Sequence, residues 1–578
     1  MAKEISSNQQ SGTKADFPAK AREAIGAPKS LGRRRFIARL GAATAAVSSG
    51  VLAPIIAASS ASAREPLEIP NQGPGGGNQR VAESFELRFQ TAIAEAAVPV
   101  PGHPNNSDET RYPNRIGNYS KGLPHNSFGE VNPNAYNELL KAVSTGRPSD
   151  FNLIPLAGTV PLVNPQAGLA FDLEGTDSHQ LAIPVPPPVS SAKMADNAVE
   201  NYWQALLRDV PFSEYDTDPA AVQAIVELNS LPNFSGPRDP NTGEITAGTL
   251  FRGYTSGDLL GPYMSQFLYL PASYGALPLI QQYQTDLPGF DYMTTFPAWL
   301  AVQNGQKPFP ARHIDPQVRY IRNGRDIAAY VHVDVLFEAY LNACLYLIDL
   351  PAPLNPGNPY LSTPNQTGFG TFGAPHIKSL VAEVATRALK AVWFQKWFVH
   401  RMLRPEEYGG LVHNTLSGAR TYPLHSDILN SKAVQEVFSK NGTWLMPHAF
   451  PEGCPQHPSY AQGHGTVAGA CVTILKAFFD ETFVIPDPVT PSTDGLSLLP
   501  YTGADANQLT VGGELNKIAA NIALGRTHAA VHWRFDYEAS LPLGEAIAIS
   551  VLRDQRPGYN ENFEGFTFTK FDGTRITV

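Results

Sequence analysis

Apolar residues recur at helical spacing through much of the chain. The longest stripe lies within residues 376–399, where Ile377, Leu380, Val384 and Val392 fall on one face. The same spacing predicts further helices over residues 195–208, 220–229, 326–347, 465–479, 514–524 and 543–552. Alternation near the C-terminus predicts a short strand over 566–569. The pattern indicates a mainly α protein, with helix bundles, long ordered loops and a few short C-terminal strands.

The N-terminal segment has the parts of an export signal in the right order. Arg33-Arg34-Arg35 precedes a small, apolar stretch over 40–58, and Ala61-Ser62-Ala63 offers a cleavage site. We therefore expect a twin-arginine signal over residues 1–63 and a periplasmic or extracellular protein; a disordered basic tail is the alternative. A flexible Gly- and Pro-rich linker is predicted over 64–84. The functional domain is predicted over 85–578, with its catalytic segments in 390–578.

Composition argues against several kinds of binding partner and against a cysteine-based metal site. Charged residues make up only 16% of the chain and the net charge is −9, which argues against nucleic acid or an anionic membrane as the main partner. No segment after the signal is long and uncharged enough to be a permanent membrane anchor. The three cysteines, Cys344, Cys454 and Cys471, lack metal-site spacing. We predict three buried thiols, with a Cys454–Cys471 disulfide as the alternative.

Three segments place cations or imidazoles beside predicted helix ends. Lys396 and Arg404 are eight residues apart, so both face one side of a helix that Pro405 is expected to end. A second segment runs from His457 to His464 and leads directly into a predicted helix. There Gly463 allows an anion to approach the backbone N–H groups of the first turn.

The third segment contains Arg526, His532 and Asp536. On a helix, the carboxylate four residues after His532 can hold one imidazole nitrogen and fix the tautomer. Each segment alone also fits a simpler interpretation: a solvated charged face, a structural loop histidine, or a helix ion pair. Together they predict a pocket for a tetrahedral oxyanion such as phosphate or vanadate.

At these residues the sequence resembles the superfamily of type 2 phosphatidic-acid phosphatases and vanadium haloperoxidases. That pattern is a lysine followed by Arg-Pro, then a Ser-Gly-His turn, then an arginine, a histidine and an aspartate. The matching residues are Lys396, Arg404-Pro405, Gly463-His464, Arg526, His532 and Asp536. The gap between Lys396 and Arg404, and the stretch His457-Pro458-Ser459-Tyr460, are similar to the red-algal and cyanobacterial bromoperoxidases. One position departs from the pattern, because Gln462 stands in place of the family serine.

The resemblance implies vanadate as cofactor, with His532 as its only protein ligand. It implies that Lys396, Arg404, Arg526, the Gly463 N–H and Gln462 bind the equatorial oxygens, and that His464 is the acid/base. His457 would be a further donor, with Asp536 and Trp393 supporting the site. Trp393 is typical of fungal chloroperoxidases, and plain core packing is its alternative interpretation. The implied reaction oxidises bromide or iodide with hydrogen peroxide to hypohalite, which halogenates an organic acceptor; chloride is left open.

The resemblance also implies a dimer-based homo-oligomer, with a dodecamer as one option, and a structural calcium ion in the loop 365–373. Two other functions are kept. One is a phosphatase of the same superfamily with His532 as nucleophile. The other is a non-catalytic oxyanion-binding protein in which Gln462 has removed the activity.

Overall fold

The computed structural model describes residues 76–578. The predicted export signal, residues 1–63, lies outside the described residues, as does most of the predicted linker. Helix α1, Gly76–Ala96, begins within the segment predicted as linker.

The described residues are mainly helical, which confirms the predicted fold class. The helices are α1 (Gly76–Ala96), α2 (Asp108–Arg111), α3 (Pro133–Thr145), α4 (Pro148–Phe151), α5 (Ala192–Leu206), α6 (Pro219–Ser230), α7 (Phe296–Gln303), α8 (Gly324–Val333), α9 (Glu338–Asp349), α10 (Ala374–Phe394), α11 (Pro405–Leu416), α12 (Ser426–Leu429), α13 (Lys432–Asn441), α14 (Gly463–Phe478), α15 (Val511–His528) and α16 (Arg534–Gln555). The strands form three separate antiparallel hairpins, β1 (Ala272–Tyr274) with β2 (Leu277–Leu279), β3 (Val489–Pro491) with β4 (Leu498–Pro500), and β5 (Thr567–Thr569) with β6 (Arg575–Thr577).

Helix α14 is the centre of the bundle that carries the site. It packs against α10, α15 and α16, and every one of its residues except His464 is buried. The approach to α16 is close enough to require glycine, because a Cβ at Gly544 would lie 1.9 Å from the Thr466 carbonyl oxygen. The first turn of α14 is therefore held rigidly, with His464 as its one side chain left partly accessible.

The prediction of one helix over residues 326–347 is wrong. Two helices, α8 and α9, meet there at 98° across residues 334–337. The apolar periodicity continues through the break, so it gave no sign of the bend. Asp334 directly follows the last residue of α8 and leaves the helical conformation, with ψ of 147°. The bent pair satisfies a membrane-span test by length and composition, whereas no single helix in residues 76–578 does.

All three cysteines are free and buried, which confirms the predicted thiols over the Cys454–Cys471 disulfide. Helix α10 also ends earlier than predicted. It changes to a π-helical turn over Gln395–His400, and Arg401 then adopts a left-handed conformation with φ of 41°. The turn carries Lys396 at the point where the helix leaves its regular geometry.

Candidate active site

Lys396 and Arg404 come together, but they do not share a helix. Arg404 is the N-cap of α11, and Pro405 occupies the first helical position rather than ending the previous helix. The two side chains instead meet at one loop. Lys396 Nζ donates to the carbonyls of Pro458 at 2.9 Å and Ser459 at 2.5 Å.

Arg404 connects the same loop to the third segment. Its Nε donates to the His457 carbonyl at 2.9 Å, and one terminal nitrogen donates to the Val531 carbonyl at 2.7 Å. That nitrogen also lies 3.0 Å from His532 Nε2. The loop at 457–459 and the loop before α16 are therefore held on one buried guanidinium.

His532 and Asp536 pair as predicted, although His532 is not on a helix. It precedes Trp533, the N-cap of α16, and Asp536 lies in the first turn. His532 Nδ1 donates to Asp536 Oδ2 at 2.6 Å, which leaves Nε2 with its lone pair toward Arg404. The same carboxylate oxygen accepts from the Ser459 hydroxyl at 2.5 Å and from the Trp533 N–H at 3.1 Å. These contacts fix the imidazole in its neutral form, with the unprotonated Nε2 facing the Arg404 guanidinium.

The first turn of α14 presents N–H groups without a side-chain cap. Gln462 is the N-cap residue, yet its side chain makes no capping hydrogen bond. Its amide nitrogen donates instead to the Ala523 carbonyl at 3.0 Å. One of the two amide N–H groups of Gln462 is therefore used within the bundle, and the contribution of this side chain to oxyanion binding stays a prediction.

His464 has a partner that sequence reasoning missed. Its Nε2 lies 3.0 Å from Asp334 Oδ1, on the break between α8 and α9. Among the described residues, Nδ1 has no hydrogen-bond partner and is the nitrogen left for a bound group. Burial alone would raise the pKa of Asp334, but His464 and Arg526 hold it below its usual range. Asp334 is thus a carboxylate that orients His464.

Arg526 is the third buried cation. One terminal nitrogen donates to the Val331 carbonyl at 2.5 Å, and the guanidinium lies 5.3 Å from the centre of the Phe450 ring. Its Nε is buried and has no hydrogen-bond partner within residues 76–578. Burial lowers the pKa of Arg526 to about 10, despite the charge of Asp334. A buried donor without an acceptor is the feature that an oxyanion would satisfy.

Charge is unbalanced at this point of the molecule. Within the described residues, none of Lys396, Arg404 and Arg526 forms an ion pair with a carboxylate. Burial, followed by the charge of Arg404, lowers the pKa of Lys396 well below its usual value. Burial and the same cations lower the pKa of His532, while burial raises the pKa of Asp536 to about 6. The site has the electrostatics of an anion receptor.

A cavity of about 760 Å³ opens onto these groups. Of the predicted site residues, those on its wall are Trp393, His457, Gly463, His464, Arg526 and His532. Lys396 and Arg404 do not line the cavity, but they contact residues that do: Lys396 lies near the Trp393 ring, and Arg404 contacts His457 and His532. Gln462 does not line the cavity either. Trp393 packs on His457 with ring centres 4.6 Å apart, and Lys396 Nζ lies 5.9 Å from the Trp393 ring. Trp393 therefore borders the site rather than only filling the core.

Comparisons with known proteins agree on one family. A family model described as the VCPO second helical-bundle domain matches residues 379–557. A vanadium-dependent bromoperoxidase of Corallina officinalis is 36% identical, over 86% of this chain and 98% of its own length. The corresponding protein of Corallina pilulifera is 37% identical, over 82% and 92%. Among solved structures, the homohexameric second vanadate-dependent bromoperoxidase of Ascophyllum nodosum is 31% identical, with a TM-score of 0.82 over 92% of this chain and 95% of that one.

Proposed function

The chain belongs to the vanadium-dependent bromoperoxidases, and we propose that the cavity beside His532 is where it oxidises bromide and iodide with hydrogen peroxide. The observation that supports this site is the set of three buried cations without a carboxylate partner, set around one neutral imidazole nitrogen. A four-oxygen anion bonded to that nitrogen would satisfy both features at once.

The residues present fit vanadate. His532 Nε2 would bind vanadium, and Asp536 keeps the proton on Nδ1 so that the lone pair stays available. Lys396, Arg404 and Arg526 would hold the oxygens, together with the Gly463 N–H at the start of α14. When bound, vanadium(V) supplies a Lewis acid that activates peroxide toward halide without changing its own oxidation state.

His464 is suited to hold and move the proton in this site. Its Nδ1 has no partner among the described residues, while Asp334 fixes Nε2. We assign it the acid/base role toward the oxyanion that the site would hold. His457, which is buried against Arg404 with 2.9 Å between Nδ1 and a guanidinium nitrogen, positions that guanidinium. Lys396 would polarise the peroxide oxygen that the halide attacks.

The deciding experiment is bromination of a phenolic dye with hydrogen peroxide, with and without added orthovanadate. We expect activity only after vanadate loading, with iodide also accepted, and chloride is measured in the same series. Vanadium content of the purified, loaded protein gives an independent readout. Hydrolysis of a phosphate ester without halogenation would favour the phosphatase, and vanadium retention without either reaction would favour a binding protein.

We further propose that residues 1–63 direct export through the twin-arginine route. The support is the sequence order of arginines, apolar stretch and small-residue site. Replacement of Arg34 and Arg35 by lysine should retain the precursor in the cytoplasm. Exported wild type should lose residues 1–63, and unprocessed protein in both cases would contradict the proposal.

We also propose a dimer-based homo-oligomer that binds a structural calcium ion in the loop 365–373. A homohexameric relative supports the assembly, as does a stripe of exposed apolar side chains, Val81, Phe85 and Phe89, along α1. Light scattering coupled to size exclusion measures the assembly. Calcium rests on the family resemblance, and metal analysis after exchange into chelator-free buffer tests it.

A further inference from the structure

The outer part of the cavity contains an acidic group that the proposed halide chemistry does not use. Glu452 lines the cavity with 35% of its side chain exposed, and His332 Nε2 lies 2.5 Å from its Oε1. Among the described residues, no other side chain or backbone group hydrogen-bonds its second oxygen. The hydrogen bond from His332 lowers the pKa of Glu452 despite the opposing effect of burial. A carboxylate with a free oxygen therefore faces the cavity.

Flat aromatic surface adjoins this carboxylate. The His332 ring stacks on Phe450 with centres 3.9 Å apart and planes 8° apart. Phe450 in turn lies beneath the Arg526 guanidinium. The two stacked rings therefore connect Arg526, one of the three buried cations, to Glu452. Leu336, Leu389 and Trp393 add apolar wall to the same cavity. The volume of about 760 Å³ exceeds what a halide and peroxide need and is in the range of sites for small organic ligands.

Apart from Arg526, which is buried at the oxyanion end of the cavity, the other charged groups on this wall have partners. Lys390 Nζ lies 2.6 Å from Asp172, and Asp334 is held by His464 with only 6% of its side chain exposed. Glu452 is therefore the carboxylate best placed to choose between organic molecules by charge. It would attract cations and N–H or O–H donors and repel carboxylates.

From this geometry we propose that the cavity mouth is a binding site for the organic acceptor, and that it selects small neutral or cationic aromatics whose donor group or cation meets Glu452. The inference rests on the proposed function, because the hypobromous acid comes from the vanadate site. In the reaction an aromatic C–H is replaced by C–Br. The displaced proton combines with the hydroxide of hypobromous acid, and the two leave as water. Glu452 positions the acceptor and takes no part in halide oxidation.

The test is a competition between two phenols that differ only in the end of an ethyl tail, one a trimethylammonium and the other a carboxylate. The quaternary nitrogen cannot itself be brominated. Both are present in equal amounts with bromide and limiting peroxide, and the ratio of brominated products is divided by the ratio that reagent hypobromite gives. We expect the vanadate-loaded wild type to favour the cationic phenol roughly two- to fivefold, the range for a partly exposed ion pair.

Substitutions at Glu452 should change that ratio in a defined order. Glu452→Gln should return it to about one, and Glu452→Lys should invert it. Glu436→Gln is the matched control, because it makes the same charge change at an exposed position on α13 outside the cavity wall. Iodide oxidation, which needs no organic acceptor, should be unchanged in Glu452→Gln.

Several results would overturn the inference while leaving the proposed function intact. They are a wild-type ratio equal to that of reagent hypobromite, an unchanged ratio in Glu452→Gln, or an equal loss in Glu436→Gln. If Glu452→Gln loses iodide oxidation with wild-type vanadium content, Glu452 acts on the vanadate site and the acceptor assignment is wrong. Absence of any halide oxidation by the loaded wild type would instead contradict the proposed function.

Discussion

Asp334 offers the sharpest test of the site, because it reaches His464 without contacting the proposed vanadium ligand. We predict that Asp334→Ala lowers the turnover of iodide oxidation while the protein still takes up vanadate. The hydrogen bond between Asp334 and His464 is 3.0 Å long and partly buried, with the carboxylate only 6% exposed. Without it, the imidazole loses both its orientation and the neighbouring negative charge.

The expected magnitude follows from the kind of hydrogen bond that is removed. Hydrogen bonds to charged groups contribute about 1.5–3 kcal/mol, which corresponds to a fall in turnover of about 10- to 150-fold if the whole contribution acts in the transition state. Asp334→Asn keeps the shape and an oxygen acceptor, so its effect should be smaller. Arg526 also feels the charge of Asp334, so a modest weakening of vanadate binding is expected in both variants.

The assay measures kcat for iodide oxidation and vanadium content on the same loaded samples. Asp216→Ala, at an exposed aspartate outside the cavity wall, is the matched control. Turnover of Asp334→Ala within twofold of wild type would refute the orienting role. A loss of vanadium in proportion to the loss of activity would show that Asp334 acts on the binding of the anion, not on His464.

Four other predictions address separate parts of the molecule. His532→Ala should abolish vanadium retention and bromination together, and bromination at the wild-type rate would disprove the ligand assignment. Gln462→Ala should keep vanadate affinity within about threefold, because its amide serves the bundle, and should lower the free energy of unfolding by about 1 kcal/mol; metal titration and urea unfolding measure the two. Glu200→Ala leaves Arg534 buried without its partner and should destabilise the protein by about 3–5 kcal/mol in the same unfolding assay, whereas a loss below 1 kcal/mol would contradict this. Burial raises the pKa of all three buried thiols, that of Cys344 to about 12, so none should react with iodoacetamide at pH 8 until the protein is unfolded, as mass spectrometry can check.

The sequence predicted which side chains come together better than it predicted their local structure. Cations and imidazoles at regular spacing identified Lys396, Arg404 and His532, and the structure brings these side chains together. The prediction that Lys396 and Arg404 share one helix is wrong. It takes Pro405 as the end of that helix, although proline is equally suited to the first position of a new one. His532 and Asp536 pair across a helix N-terminus, where the same four-residue spacing also brings two side chains into contact.

Asp334 could not have been found from the sequence. Its segment carries an apolar periodicity that continues through the 98° bend, so the sequence does not mark the position where the helix breaks. The Ala523 contact of Gln462 could not be predicted either. The family pattern predicts a donor to the anion at this position, and the structure adds that one amide N–H reaches the Ala523 carbonyl. Which atom a side chain can reach is decided by neighbours far away in the sequence.

The buried cations of the site lower the stability of the folded protein unless an anion is bound there. Burying a cation without a partner is unfavourable, and Lys396, Arg404 and Arg526 are buried close together. The carbonyl groups of the loop at 457–459 relieve part of this cost for Lys396 and Arg404, yet they carry no net charge. A bound oxyanion would supply the missing negative charge, so its binding must stabilise the folded state by mass action. Vanadate and phosphate should therefore both raise the unfolding temperature, and only vanadate should also give halide oxidation.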